Sequence, residues 1–302
     1  MIRIDVPATS ANLGSGFDSL GIALTMKNRI WMEEWDGVEI SCLDTVDVPK
    51  DESNLIYWAA DHLYRECGKH LPGLKIVQEN NIPLARGLGS SSSCIVAGIL
   101  GANRFLGSPL SETDLIHLAA KIEGHPDNTS PALSGGLVAS AMEGERVYSV
   151  SVPVSEKIRF AVMIPPFELK TEEARKALPE RYKREDAVYN LSRSGLMTAS
   201  LFSGKLENLR VAVQDRLHQP YRSGLIPDYD NVFRMSYELG SLGTYVSGAG
   251  PTIISMVESH QADSFGADCQ AHLAEKGILG WQVQILRADA QGASIVLDTP
   301  PI

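Results

Sequence analysis

Residues Pro83-Leu84-Ala85-Arg86-Gly87-Leu88-Gly89-Ser90-Ser91-Ser92-Ser93 place two glycines and four consecutive serines between two apolar runs. Glycines let backbone N–H groups approach a ligand closely, and the start of a helix offers orphan donors with a partial positive charge. Such a turn suits phosphate. Serine hydroxyls add donors for phosphate oxygens and oxygen ligands for a hard cation such as Mg²⁺. Two common phosphate signatures are excluded. No lysine follows Gly89 as a P-loop requires, and Ser92 stands where the dinucleotide fingerprint needs its third glycine. A serine-rich helix cap accounts for one or two of the serines but not for four.

A second group, Glu123-Gly124-His125-Pro126-Asp127-Asn128, gathers ionisable and amide side chains. Residue types alone leave three chemistries open. One is a weak metal site of one histidine with carboxylates. Another is a Ser-His-Asp hydrolase drawing on Ser90 to Ser93, although no G-x-S-x-G elbow exists. The third is a polar helix terminus with His125 near the negative end of the dipole. Arg175 and Arg222 are candidates to hold a carboxylate, because the planar guanidinium fork matches it, while a solvated face is the ordinary alternative for Arg175. Asn12 and Asp18 lie in a long small-residue loop, Pro7 to Gly21, where they serve either as turn and cap formers or as ligands.

These residues need elements to hold them. Leu74–Val77 reads as a strand into the serine turn and Cys94–Ala102 as a buried helix out of it. Ile2–Val6 alternates as a half-buried strand does, and Arg29–Glu33 is strand-like. Asn54 to Cys67 has helical spacing, stopped by Gly68. Ser111-Glu112-Thr113-Asp114 opens another helix with a capping-box start. Gly124 and Pro126 are expected to end it, leaving Glu123, His125, Asp127 and Asn128 on a constrained turn. Val147–Val154 alternates, and a domain boundary is placed there, giving domains 1–154 and 155–302.

Beyond it come a strand at Phe160–Ile164 and a helix starting at Thr171 as cap and carrying Arg175. Helices follow at Asp186–Phe202 and Glu207–Arg216. Thr244–Ile254 reads as strand, glycine turn around Gly248, and strand. A helix at Ala262–Lys276 and strands at Gln282–Leu286 and Ala293–Leu297 complete the chain.

At 302 residues the chain is long enough for two domains. Its 44% hydrophobic and 21% charged content is that of a soluble globular protein. A net charge of −10 argues against nucleic acid and anionic membranes as partners, though not against a nucleotide held by backbone dipoles and Mg²⁺. Four scattered cysteines are expected as free thiols in a reducing cytoplasm. Asp5 interrupts any signal-peptide core, and no run approaches a membrane span.

The segment Pro-x-x-x-Gly-Leu-Gly-Ser-Ser at Pro83–Ser91 resembles the central signature of the GHMP small-molecule kinases. Pro7 to Gly21 is similar to that family's first motif in its homoserine kinase form, and Thr244–Ile254 to its last. Glu123–Asn128, followed by Ala132, Gly135 and Gly136, resembles the homoserine kinase segment that meets Mg²⁺ and substrate. The resemblance implies an α+β fold of two domains, a ribosomal-S5-like N-terminal one and a ferredoxin-like C-terminal one.

It further implies that Pro83 to Ser93 bind ATP and that Glu123 joins Ser91 or a neighbour on Mg²⁺. Asn12, Asp18, His125, Asp127, Asn128, Thr171, Arg175, Arg222 and Gly248 would bind the acceptor. Asp18 suits an ammonium group and the arginines an α-carboxylate, which fits L-homoserine as acceptor and threonine biosynthesis as setting. Asp127 and Asn128 are the candidates nearest the reacting hydroxyl. A homodimer is left open. The rival expectations are another GHMP kinase of the mevalonate-pathway type, and a non-catalytic nucleotide-binding relative.

Overall fold

The computed structural model describes residues 1–298 and 300. β1 (Ile2–Ala11) and β2 (Leu20–Glu34) pair antiparallel along nearly all of β1, with an irregularity at Pro7/Ala8. After β3 (Gly37–Cys42) and α1 (Leu55–Glu66), β4 (Gly73–Glu79) inserts between β2 and β3, antiparallel to the first and parallel to the second. Asn54 caps α1, its Oδ1 accepting from the Ile56 N–H at 3.0 Å. Three helices follow: α2 (Ser90–Phe105), α3 (Glu112–Glu123) and α4 (Pro126–Ser134). The hairpin β5 (Leu137–Glu143) and β6 (Arg146–Val152) completes this part, with β5 joined to the start of β2.

The second sheet begins at β7 (Ile158–Ile164). Five helices come next: α5 (Thr171–Lys176), α6 (Arg184–Ser203), α7 (Leu209–Ala212), α8 (Gln219–Arg222) and α9 (Tyr229–Glu238). Then come β8 (Gly243–Val246), β9 (Ile253–Glu258), α10 (Ala262–Glu275) and β10 (Gln282–Leu286). The strand order is β10-β7-β9-β8, all antiparallel. The last strand, β11 (Ser294–Leu297), returns to the first sheet and pairs with β1.

Burial follows the two-residue period of the strands. On β7, Phe160, Val162 and Ile164 face a core shared with Leu13 of the first motif and Ile22 and Leu24 of β2, while Ala161 and Met163 face α9 and α10. The other side of the first sheet packs Ile4, Ile30 and Met32 against α1, α2 and α3. One continuous apolar layer therefore joins the two sheets and fixes the groups at their seam. The result is the two-domain α+β arrangement expected from the sequence. Among the described residues no helix is long and apolar enough to cross a membrane, and all four cysteines are free.

Three local expectations are corrected. Pro126 starts a helix instead of ending one. Its lost N–H is harmless at the first helical position, so Asp127 and Asn128 sit in the first turn of α4. Thr171 is the first residue inside α5, and Lys170 occupies the cap. The helix expected over Glu207–Arg216 stops at Ala212. There the Asp215 carboxylate accepts from the N–H groups of Leu217, His218 and Gln219 and organises the entry to α8.

Candidate active site

Gly89 is the cap of α2, with φ 71°, and no side chain satisfies the helix start. The cap is therefore a glycine and not a serine, and the first-turn N–H groups of Ser90, Ser91 and Ser92 keep their donor capacity. Space at this turn is fully taken on its protein side. A Cβ on Gly89 would lie 2.0 Å from Thr9 Oγ1, and one on Gly87 would lie 2.3 Å from the Ser247 carbonyl oxygen. Thr9 Oγ1 in turn donates to Asn128 Oδ1 at 2.8 Å, so the turn, β1 and α4 brace one another. Ser247 Oγ donates to Gly87 O at 2.6 Å, bringing the third glycine turn onto the second.

Not every residue of the Pro83–Ser93 segment faces ligand space. Pro83, Leu84, Leu88 and Ser93 lie outside the cavity lining. Leu88 and Ser93 are buried behind it, with Ser93 Oγ donating to Ser90 O at 2.8 Å. Arg86 spends its guanidinium on the carbonyls of Leu84, Pro165 and Pro166, tying the turn to the second sheet.

The cavity in front of the turn measures about 630 Å³. Asn12, Asp18, Ala85, Arg86, Gly87, Gly89 and Ser90 to Ser92 line it. So do Glu123, His125, Asp127, Asn128, Thr171, Arg175, Arg222 and Gly248. Glu123, the last residue of α3, accepts from Ser92 Oγ at 3.0 Å and Ser91 Oγ at 3.3 Å. One carboxylate beside two hydroxyls is a hard-oxygen donor set that fits Mg²⁺, with room left for phosphate and water oxygens. Among the described residues no three His, Cys, Asp or Glu side chains gather as a metal cluster, so the protein-only metal site of residues 123–127 has no geometric support. Nor does the hydrolase: the hydroxyls of Ser91, Ser92 and Ser93 are committed to Glu123 and to the α2 backbone, that of Ser90 is buried without a partner, and His125 turns to Asp127 and hydrogen-bonds to none of the four serines.

His125 Nδ1 lies 2.5 Å from Asp127 Oδ1. Burial, the largest influence, opposes charge on His125, but the hydrogen bond and charge of Asp127, aided by Glu123, outweigh it, and its pKa rises above the ordinary 6.5. A raised folded value means that the pair's stabilisation is complete below the unfolded value and fades as pH climbs through the folded one. Asp127→Asn is expected to move the His125 titration to lower pH and to remove this loss above about pH 6.5. Histidine NMR titration combined with urea unfolding at several pH values checks both; an unmoved His125 midpoint would disprove the coupling.

Opposite the phosphate turn stand the two arginines. Arg175 donates to both Asp18 oxygens, at 3.0 and 3.2 Å. Arg222 is almost fully buried; its Nη1 donates to Gly248 O at 2.9 Å and to His218 Nδ1 at 3.2 Å. Burial first and the nearby Arg175 second lower the Arg222 pKa, although a guanidinium remains charged. A buried cation repelled by its neighbour suits an anion. Asn12 has both side-chain ends occupied, donating to Gly248 O and accepting from Asp18 N, with φ 72°. It shapes the loop that presents Asp18.

Sequence reading missed several supports. His218 is fully buried, donates to Gly14 O through Nε2 and stacks on Phe17 at 5.2 Å. Burial, the largest influence, and Arg222 hold it neutral against the pull of Asp215, so its Nδ1 can accept from Arg222. Thr9 was hidden in a strand-and-loop motif. Trp58, inside the stretch Asn54 to Cys67 read as a helix, is 44% exposed and lines a groove of about 910 Å³ with Leu55, Ile95 and Ile122. That groove shares Ser91, Glu123, His125 and Thr171 with the main cavity. An aromatic just beyond a capped helix start was the available signal.

Family comparison agrees with this layout. Residues 54–136 match the GHMP kinases N terminal domain and residues 197–275 match GHMP kinases C terminal. The fold is thus that of an ATP-dependent small-molecule kinase. The homoserine kinase of Caldicellulosiruptor saccharolyticus is 45% identical over 298 residues, 98% of this chain and 96% of that protein. That of Clostridium beijerinckii is 44% identical, over 99% and 100% of the two chains. The crystal structure of homoserine kinase from Cytophaga hutchinsonii superposes with a TM-score of 0.87 at 29% identity, covering 98% and 97%. The chain belongs to the homoserine kinases of the GHMP family.

Proposed function

We propose that this chain transfers the γ-phosphoryl group of ATP to the side-chain hydroxyl of L-homoserine, giving O-phospho-L-homoserine on the route to threonine. One observation carries the reading: the uncapped start of α2 opens on the same cavity as Asp18, Arg175 and Arg222. An anion cradle thereby faces a set of charges complementary to an amino acid. A mevalonate-type acceptor has a carboxylate but no ammonium, and would leave Asp18 without a ligand partner.

In this reading the N–H groups of Ser90 to Ser92 hold the β- and γ-phosphates. The apolar groove at Leu55 and Trp58 receives the adenine. Glu123 and a serine hydroxyl would hold Mg²⁺, which would supply neutralisation of charge on the transferring group. Thr9 occupies the carbonyl end of Asn128, leaving its NH₂ to orient the acceptor hydroxyl. Asp127 is engaged by His125 and is not a free base, so the hydroxyl proton passes to the phosphoryl oxygens. The acceptor's ammonium goes to Asp18 and its carboxylate to the guanidiniums, exchanging partners with the existing Asp18–Arg175 pair.

A coupled assay of ADP release over L-homoserine, other hydroxy-amino acids and mevalonate tests the assignment. ADP formed with mevalonate and not with homoserine, or ATP bound without turnover of any acceptor, would overturn it. Arg175→Ala is expected to raise the homoserine KM about 10- to 100-fold, the scale of a charged hydrogen-bonding partner, with the ATP KM nearly unchanged. Steady-state kinetics in both substrates checks this; equal rises in the two constants would remove Arg175 from the acceptor site.

A further inference from the structure

Arg222 brings five N–H donors to the acceptor side of the cavity, and the protein takes three of them. Nε donates to Ala174 O at 3.4 Å, and Nη1 donates to Gly248 O at 2.9 Å and to His218 Nδ1 at 3.2 Å. Among the described residues Nη2 has no hydrogen-bond partner. Its two donors are therefore the ones left for a ligand, on a side chain that borders the cavity.

Two of the three acceptors are carbonyls, which always accept. The third is an imidazole, which accepts at Nδ1 only when that nitrogen carries no proton. Its neighbours select this form. Nε2 lies 2.7 Å from Gly14 O, which can only accept, so the proton sits at Nε2 and Nδ1 keeps its lone pair. The rival form is an imidazolium paired with Asp215. Asp215 Oδ2 is 3.6 Å from Nε2, and its carboxylate already accepts from three backbone N–H groups and from Asn190 Nδ2 at 2.6 Å. Asp18, the other carboxylate acting on the ring, is held by Arg175. Burial first and then the charge of Arg222 push the His218 pKa below the ordinary 6.5.

We propose that His218, as the neutral Nε2–H tautomer, is a positioning residue that holds Arg222 with its Nη2 edge toward the carboxylate of the acceptor. This rests on the homoserine reading above, in which Arg222 takes that carboxylate. The same ring stacks on Phe17 at 5.2 Å, and its bond to Gly14 reaches the loop that presents Asp18. One side chain thus sets the arginine meant for the carboxylate against the loop meant for the ammonium. A proton at Nδ1 would point at guanidinium N–H groups and turn Arg222 away.

Two amide replacements separate the two ring bonds. His218→Asn keeps an acceptor near the Nδ1 position and gives up the bond to Gly14. His218→Gln keeps a donor near Nε2 and gives up the bond from Arg222. Loss of one hydrogen bond to a charged group is expected to raise the homoserine KM of His218→Gln about 10-fold, with His218→Asn within about 3-fold of wild type. The ATP KM should stay unchanged in both. Urea unfolding should rank them the other way, with His218→Gln the more stable because it retains the tie to Gly14. A histidine that served only the fold would make KM follow stability. Independently, ¹⁵N NMR of the histidine-labelled wild type, with the ring assigned through its contact with Phe17, is expected to show Nε2–H and a bare Nδ1 at neutral pH. An imidazolium or an Nδ1–H ring, a homoserine KM that tracks stability across the variants, or equal rises in both KM values would each overturn the proposal. If neither variant folds, the wild-type ring spectrum decides. A wild-type enzyme that turns over no homoserine would overturn the underlying reading as well, whereas normal wild-type turnover with an unmoved His218→Gln KM would remove His218 alone.

Discussion

Gly89→Val is expected to lower kcat/KM for ATP by two to three orders of magnitude, the scale seen when one preorganised backbone donor is lost (about 10²–10³). Two effects act together. The residue has φ 71°, which a β-branched side chain resists, and its Cβ would fall 2.0 Å from Thr9 Oγ1. Either the turn rotates and the N–H groups of Ser90 to Ser92 lose their aim, or Thr9 moves and releases Asn128. Both routes reach the reaction, since one disturbs the phosphate cradle and the other the amide assigned to the acceptor hydroxyl. Steady-state kinetics with ATP varied, beside circular dichroism to show that the chain still folds, makes the measurement. A folded Gly89→Val enzyme with wild-type turnover would separate phosphate binding from this turn. Gly89→Ala, with a smaller side chain, should lie between the two.

The same turn shows how far local sequence carries. Two glycines, four serines and an apolar helix after them specify a helix start with short-range information only, and the structure has one there with no side-chain cap. The Ser111–Asp114 capping box is local in the same sense and is found as read. Local rules with two outcomes fared worse. Proline ends one helix and begins another with equal ease, so Pro126 was legible as a boundary but not as the first residue of α4. Asp215 could not be seen to capture three N–H groups because that depends on a chain reversal.

Pairings across the fold were beyond reach altogether. Asp18 and Arg175 are 157 residues apart, and each was read as awaiting the substrate when in fact they hold one another. Thr9 with Asn128, and His218 with Arg222, are of the same kind: supports whose identity emerges only when separate segments meet. The residues that would touch substrate carried motif signals, whereas most of those that position them carried none.

Electrostatics makes Glu123 the most demanding member of the site. A carboxylate beside a triphosphate is a liability: two unit charges about 4 Å apart repel by about 4 kcal/mol at an effective dielectric constant of about 20. Its hydrogen bonds to Ser91 and Ser92 do not neutralise that charge. Only a cation between carboxylate and phosphate reverses the sign, so Glu123 is useful when the metal is present and harmful when it is absent. Glu123→Gln preserves shape and one of the two acceptor oxygens that Ser91 and Ser92 use, while deleting the charge. It is expected to reduce kcat by about 10²–10³, as loss of a well-placed electrostatic contact does, and to raise the Mg²⁺ concentration for half-maximal rate at least several-fold. ATP without metal should bind this variant more tightly than the wild type, because the repulsion is gone. Initial rates across a Mg²⁺ series and calorimetric titration of ATP in chelator provide the two readouts. If metal dependence were unchanged and metal-free ATP bound no more tightly, Glu123 would be a structural acceptor for the serines and the cation would have to be held elsewhere.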